Sequence, residues 1–500
     1  VNAPRTYGHW RPPRGFGIGQ LSTGQTLTVF LAVTIPVILL NFSGPAGAIA
    51  LAIGVLVITA VVVKIGGSSV SDVLLRRFRF TRARAADWTE LTGGMVTDHP
   101  RRHDLPGVLG TVVPLSTDDG RGGRQGLLWD RRTGTLTAVL RVSPVGLDLA
   151  DRGQADAWVA NWGAFLGDLG YRPMVAHIAV SIDTSPTGGT TLRDHVTAHV
   201  DPRTPVPARA VMAELAAAAP ASSAEVDARV SVTFDPSRAT PRPADLAAGV
   251  AEVTRWLPGL ESQLGMAGVA VRRRASAAWL TGRLRVAFDP ATRSDLTGYG
   301  DHPTAQTANH LDDHPDELLD WTEAGPIAAR ELWDHYRHDS GISVTWAMVE
   351  APRQAVMDKV LVPLLAPGPF PRRFTLLYTP LSAGEAADEV EREITNTQVR
   401  RAWSRRTRRD ETQRDRDDLA RATQSAREEA EGAGVGRFTL YVTTTVTDEA
   451  LLPAATADVE QRAGQAKIRL RRLCGSQAAG FAASLGFGIN PTELARRPRR

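Results

Sequence analysis

Between Arg14 and Lys64 lie 49 consecutive residues without an aspartate, glutamate, lysine, arginine or histidine. Two apolar blocks fill that stretch, residues 27–40 and 46–63, separated by Asn41-Phe42-Ser43-Gly44-Pro45-Ala46-Gly47. A helix that crosses a bilayer needs about 20 mostly apolar residues, so each block with its uncharged neighbours is long enough to span once. Asn, Ser, Gly and Pro stop helices and reverse chains. The pattern predicts a transmembrane helical hairpin over residues 26–64. A cleaved signal peptide has a single apolar region of about 7–15 residues before a cleavage site, which does not describe two blocks behind a Pro- and Gly-rich head. A buried soluble hairpin would need a large apolar shell.

The flanks set the orientation. Arg5, Arg11 and Arg14 precede the hairpin, and Lys64, Arg76, Arg77, Arg79, Arg82 and Arg84 follow it. Both flanks are basic and the turn is uncharged, so the positive-inside rule puts both termini in the cytoplasm and the chain in the plasma membrane. Residues 70–84 fit a short basic amphipathic helix. It either lies on the membrane surface, where each basic residue near anionic lipid is worth about 1 kcal/mol, or carries charges that only set topology.

Five hundred residues exceed what one core usually serves. The expected plan is a basic head (1–25), the hairpin (26–64), a basic juxtamembrane linker (65–104), a first cytoplasmic α+β domain (105–290) and a second (291–500). A net charge of +4 is small for this length and sits partly in the membrane flanks, so a global nucleic-acid field is not implied. The single cysteine, Cys474, excludes an internal disulfide and cysteine-cluster metal sites, in keeping with a reducing compartment.

Periodicity gives the elements. Strands are expected at residues 105–113, 126–128, 135–142, 173–182, 226–234, 268–273, 342–350, 372–378 and 437–445, with helices at 151–169, 206–219, 243–264, 276–288, 356–365 and 454–473. This alternation predicts an α+β fold, with α/β sandwich units of β-α-β character and a ferredoxin-like topology. One long charged helix is expected near residues 384–432. It carries Arg400, Arg401, Arg405, Arg406, Arg408 and Arg409 and turns acidic through residues 415–418 and 428–431. Opposite charges four apart stabilise a solvated helix. The six arginines are also the best partner-contact residues in the chain. Contact with single-stranded DNA is the weaker version, since only Trp403 offers a stacking surface.

Catalytic signatures are sparse. No Gly-Lys dipeptide occurs, so the phosphate-cradling P-loop is missing and the chain is not itself a P-loop ATPase. Gly15, Gly17 and Gly19 lack dinucleotide-loop spacing. No serine elbow is present. His195 and His199 have helical ligand spacing, but Val196 occupies the position where zincin chemistry needs glutamate. Residues 301–338 gather His302, His310, His314, His335 and His338 with Asp301, Asp312, Asp313, Asp316, Glu317 and Asp320. Imidazole and carboxylate suit a divalent metal, yet Gly300, Pro303 and Pro315 mark loop, and the carboxylates suit a helix start. No catalytic, cofactor or metal residue is assigned.

The run from Ile468 through Gln477-Ala478-Ala479-Gly480-Phe481 to Leu485-Gly486-Phe487-Gly488 resembles the segment before the nucleotide-binding domain of conjugative type IV secretion ATPases. In those proteins a Gln–(small)–Phe run leads into Leu-Pro-(apolar)-Gly. Here Gly486 stands where proline is usual, and the chain ends at Arg500, where the ATPase would begin. Trp129-Asp130 with residues 134–140, residues 346–353 and residues 372–378 resemble the amino-terminal domain of the same proteins. The hairpin start with Tyr7-Gly8-His9-Trp10 resembles a membrane-protein family of actinobacterial conjugative elements. Fifty-five of the 58 basic residues are arginine, which resembles the codon bias of a GC-rich genome. Val1 then fits a GTG start and a native amino terminus.

The resemblance implies a membrane-anchored, non-catalytic scaffold that docks a separate secretion ATPase and channel subunits, with the lipid bilayer as a further partner and homo-oligomerisation in keeping with symmetric machines. Two other expectations stand beside it: a membrane component of an ESX (type VII) secretion system, and a membrane-tethered metal-binding protein using residues 301–338.

Overall fold

Nineteen residues of α1 (Thr23–Phe42) and all 19 of α2 (Gly44–Val62) make windows of mean hydropathy 1.9 and 2.4, long and apolar enough to cross a membrane. Only 6 % and 17 % of these windows are buried within the protein, so both helices are largely exposed. In the computed structural model the described residues are 23–65, 68–92, 105–146, 150–186, 200–201, 203–218, 224–296, 299, 319–352, 354, 356–406, 423–424, 426–428 and 434–496. The chain divides into two compact units: Val1–Trp88 with Val349–Met357 and Leu381–Val435, and Thr89–Met348 with Asp358–Pro380 and Gly436–Arg500.

In the first unit Ser43 alone, in extended conformation, separates α1 from α2. Pro36 inside α1 has no N–H, so the Ala32 carbonyl loses its helical donor. Gly54 of α2 meets that carbonyl: a Cβ there would overlap the Ala32 oxygen and sit 3.3 Å from Pro36 Cγ. Small residues of this kind let apolar helices approach closely. The few polar side chains are satisfied locally, Thr34 and Thr59 Oγ1 donating to the carbonyls of Phe30 (2.9 Å) and Val55 (2.8 Å). A two-residue antiparallel pair, β1 (Lys64–Ile65) and β2 (Ser68–Ser69), then leads into α3 (Val70–Ala85). Ser69 caps α3 by accepting from Asp72 N at 3.2 Å, and Arg82 and Arg84 complement the dipole in its last turn.

The second unit opens with β3 (Glu90–Thr92), β4 (Val112–Asp118), β5 (Arg124–Asp130) and β6 (Thr135–Pro144). It continues with α4 (Arg152–Leu169), β7 (Val175–Pro186), α5 (Val206–Ala218), β8 (Ala224–Phe234), α6 (Leu246–Met266), β9 (Val269–Arg274) and α7 (Ala277–Phe288). The second half supplies β10 (Ala328–Glu331), β11 (Tyr336–His338), β12 (Gly341–Glu350), α8 (Val362–Leu365) and β13 (Arg372–Pro380). Helix α9 (Ala383–Arg406) follows but belongs to the first unit. Last come β14 (Gly436–Val446), α10 (Leu452–Gln465), β15 (Arg469–Arg472), α11 (Gln477–Ser484) and α12 (Pro491–Arg496).

Three expectations are corrected. Residues 105–113 are not one strand: Gly107, at φ +59°, opens a 3-10 turn, Gly107–Leu109, and the strand begins at Val112. Residues 454–473 are not one helix. The helix ends at Gln465, Lys467 takes a left-handed φ of +57°, and the chain returns as β15 on β12. Residues 356–365 give a 3-10 turn and a single α-turn rather than a continuous helix. The charged helix is described as far as Arg406; most of its expected remainder lies outside the described residues.

All the strands from β3 to β15 join one 13-stranded antiparallel sheet, in the order β3-β10-β11-β12-β14-β13-β7-β8-β6-β5-β4 with β9 on β6 and β15 on β12. Two halves of the same plan share it. The first runs β6-α4-β7-β8-α6-β9 with strands in the order β9-β6-β8-β7, and the second runs β12-α8-β13-β14-α10-β15 in the order β15-β12-β14-β13. They meet where β7 pairs with β13, Ser181 opposite Thr375. The inserts also correspond: α5 lies between β7 and β8, and α9 between β13 and β14.

Strand alternation makes two unlike sheet faces. On one, Leu136, Ile178, Val230 and Val232 pack under α4 and α6, while Val344, Phe374 and Val442 pack with Leu364 of α8 and Val459 of α10. The other face carries Thr137, Ser181, Ser231, Thr233, Thr345, Thr375 and Thr443, and is covered by α7, α11 and the segment after it.

Candidate functional site: a buried arginine–carboxylate cluster beneath a cleft

The polar face concentrates charge where the two halves meet. Successive outward residues of β8 are Asp227, Arg229, Ser231 and Thr233. Asp183 on β7 stands opposite both Asp227 on β8 and Arg373 on β13. Arg229, 2 % exposed, places Nη1 2.7 Å from Asp183 Oδ2 and 2.7 Å from Asp227 Oδ2. Arg373 Nε lies 2.7 Å from the other Asp183 oxygen. From α7, Arg283 comes within 3.4 Å of Glu225 and 3.8 Å of Asp227, and Arg293 Nη1 lies 3.6 Å from Glu225 Oε2. Aromatic faces back two of the guanidiniums, Trp279 under Arg283 at 5.3 Å and Phe481 under Arg373 at 5.7 Å.

Burial alone would raise the Asp183 carboxyl, but the neighbouring Arg229 and Arg373 guanidiniums override it and hold it well below the usual carboxylate range. Burial would likewise lower Arg229, and Asp183 with Asp227 outweighs it, so its charge is reinforced. Arg373 goes the other way: burial lowers it, Asp183 offsets only part of that, and Arg229 adds repulsion. Four arginines thus face three carboxylates, and Arg229 Nε and Arg373 Nη1 are buried without a hydrogen-bond partner among the described residues.

Beside the cluster opens a cleft of about 380 Å³, lined by Asp183, Ser185, Glu225, Arg293, Arg373 and Thr445 with Phe370 and Val446. On the opposite sheet face Arg372 shares Asp458 with Arg462, at 2.9 Å each, and both guanidiniums donate to the Ala366 carbonyl. Burial, with Arg462 beside it, pushes Arg372 down to about 10.

The carboxy-terminal run from Gln477 to Gly488 forms a strap across the polar face. Gln477 takes the place of a strand neighbour: its Oε1 accepts from Thr345 N at 2.8 Å and its Nε2 donates to Thr345 O at 3.3 Å. Thr375 Oγ1 donates to Ser484 O at 2.6 Å, and Arg229 Nη2 to Leu485 O at 3.3 Å. Gly486 and Gly488 then run at φ +70° and +80°, and a Cβ on either would strike Ser181 or Thr137. The left-handed conformation is closed to proline, whose ring fixes φ near −65°, and favours glycine at position 486. The charge cluster therefore locks the strap to the seam between the halves.

Neither the protein-family models nor the curated proteins match this chain. The chemistry rests on the residues themselves. Asp183 and Asp227 are engaged by guanidiniums, and among the described residues no group of three His, Cys, Asp or Glu could hold a metal ion.

Of the residues singled out from sequence, Arg400, Arg401, Arg405 and Arg406 lie on the last turns of α9, while Arg408 and Arg409 fall outside the described residues. His195, His199, His302, His310 and His314 also lie outside them. His338 is a core residue: Nδ1–H donates to Phe288 O at 2.6 Å, and Nε2 accepts from Ser343 Oγ at 2.7 Å. Burial pushes it down to about 4. His335 pairs instead with Asp334, at 2.9 Å. Sequence reasoning missed Asp183, Asp227, Arg229 and Arg373. The signal was there in β8, whose Asp-Ala-Arg-Val-Ser-Val-Thr-Phe alternation gives one face entirely to polar residues.

Proposed function

We propose that this chain is a non-catalytic, membrane-anchored scaffold of a conjugative type IV secretion machine, docking a separate ATPase and channel subunits at the plasma membrane. The observation that carries the reading is the outward-facing apolar surface of α1 and α2, where Phe30, Ile49 and Leu56 are 65 %, 64 % and 71 % exposed. Exposed apolar area on that scale needs a cover, and two adjoining helices of spanning length make a bilayer the natural one. Basic flanks on both sides favour cytoplasmic termini.

In this reading the sheet is two ferredoxin-like units joined edge to edge. The strap, whose sequence resembles the segment leading into a secretion ATPase, is fastened over their seam. The acids at the cleft, Asp183 and Glu225, are engaged by guanidiniums, which favours a structural role over acid–base chemistry. Helix α9, which lies between β13 and β14 in the chain and carries Arg400, Arg401, Arg405 and Arg406, is the proposed partner-binding element.

The test is affinity isolation of the tagged chain from gently solubilised native membranes, with co-purifying proteins identified by mass spectrometry. Recovery of a P-loop secretion ATPase supports the scaffold. Its absence, under conditions that keep a control membrane complex intact, removes it.

A further inference from the structure

Helix α3 has two faces. Val73, Arg76, Phe80 and Ala83, at spacings of three and four, are its less exposed residues, and Phe80 is buried. The opposite stripe exposes Leu74 (60 %), Phe78 (64 %) and Ala85, with Leu75 beside them. At 100° per residue Arg77 flanks this apolar stripe on one side, and Arg82 and Arg79 on the other. Trp88, just past the helix, is also exposed, and its backbone N–H donates to Ala83 O at 3.0 Å.

The start of α3 is tied to the ends of both apolar helices. Val70 N donates to Val63 O at 3.0 Å, next to the end of α2, and Gln25 Nε2 in the first turn of α1 donates to Ser69 Oγ at 3.4 Å. If α1 and α2 cross a bilayer, α3 therefore begins at its surface. An apolar stripe bordered by arginines, with a tryptophan at the end, is the composition of a helix lying in the headgroup layer.

We propose that α3 seats its Leu74–Phe78 stripe in the headgroup region of the bilayer and that Arg77, Arg79 and Arg82 recognise anionic lipid there. The occupant is the lipid surface, chosen by charge complementarity and by continuity with the spans. The inference rests on the membrane reading of α1 and α2. Each arginine near an anionic surface is worth about 1 kcal/mol, or about fivefold in association.

The full chain, with Cys474→Ser, is labelled with an environment-sensitive fluorophore at either Ala85→Cys on α3 or Leu56→Cys on α2. It is then reconstituted into phosphatidylcholine vesicles and into vesicles of equal parts phosphatidylcholine and phosphatidylglycerol. The expected result is a label at 56 buried in lipid in both, and a label at 85 quenched by headgroup-level spin-labelled lipid only when phosphatidylglycerol is present. Arg82→Gln weakens that quenching about fivefold, and added salt reduces it. A label at 85 that stays in water while 56 is in lipid overturns the α3 proposal and leaves the hairpin standing, as for a stripe reserved for a protein partner. Equal quenching in both vesicle types overturns the anionic recognition. A label at 56 in water overturns the hairpin and α3 together.

Discussion

Asp183 Oδ2 lies 2.7 Å from Arg229 Nη1, at the seam where the two halves of the sheet pair. Arg229 alone touches β7, its own strand's Asp227 and the strap carbonyl of Leu485, so one guanidinium ties three segments together. Ion pairs this deep recover their desolvation cost only when complete, and removing one partner typically costs about 3–5 kcal/mol. Arg229→Met is expected to destabilise the chain by about that much, measured by denaturant unfolding in detergent. Asp183→Asn is expected to do likewise, and the double variant to lose less than the sum because the two share one interaction. Additive losses would mean that the pair is not coupled.

Acid should weaken the fold in two abutting windows. His338 is held neutral: burial lowers it to about 4, against about 6.5 unfolded. The unfolded chain therefore binds more protons between those values, and the His338 contribution, full above about pH 6.5, is lost as pH falls to 4, by about 3 kcal/mol. Asp183 is opposite in charge type but alike in direction. Its depressed folded value gives a contribution that is full above the unfolded value near 3.9 and is lost as pH falls further. Unfolding midpoints measured across the range should decline below pH 6.5 in the native chain, and His338→Gln should abolish the upper decline while leaving the lower one. A variant that keeps the upper decline would assign it to another group.

The strap depends on two left-handed glycines. Gly488→Ala would force an L-residue to φ +80° and drive its Cβ into Thr137, costing about 1–2 kcal/mol for the backbone and about 1–3 for the overlap. Gly486→Pro cannot reach φ +70° at all. Both variants should detach residues near the carboxy terminus before the sheet melts, read as faster hydrogen exchange at Thr345 N, whose acceptor is Gln477. Unchanged exchange there would show a strap held by its helices alone.

Much of this architecture was legible in the sequence where periodicity is local. Helices α4, α6 and α7 begin one residue after Asp151, Asp245 and Ser276, whose side chains cap them. The apolar blocks announced α1 and α2. What the sequence did not show is long-range: nothing in residues 175–186 and 372–380 says that they pair, since their registry is set by surfaces nearly two hundred positions apart. The arginine cluster was hidden for a related reason. Alternation marks Arg229 as facing away from α4 and α6, but a strand's polar face is ordinarily solvated, and only the strap and α7 make it interior. β15 was missed because Ile468-Arg469-Leu470-Arg471 reads as a continuation of the amphipathic helix, and nothing in the sequence marks Lys467 as the left-handed residue that ends it.

The hairpin offers the last prediction. Pro36 frees the Ala32 carbonyl, and Gly54 is where α2 meets it, with no room for a Cβ. A residue there larger than glycine must push the helices apart, and in lipid, without a hydrophobic force between helices, close packing is what holds them. Gly54→Val is expected to loosen the α1–α2 pair by about 1–3 kcal/mol while leaving each helix apolar enough to insert. Pro36→Ala should restore the Ala32 hydrogen bond without relieving that overlap, so it should not rescue Gly54→Val. Spin labels on one cysteine in α1 and one in α2, in a Cys474→Ser background, read the separation of the helices through their dipolar coupling. A longer distance with Gly54→Val than in the native pair is the expected result; equal distances would mean that the two helices are held by their short connection and not by this contact.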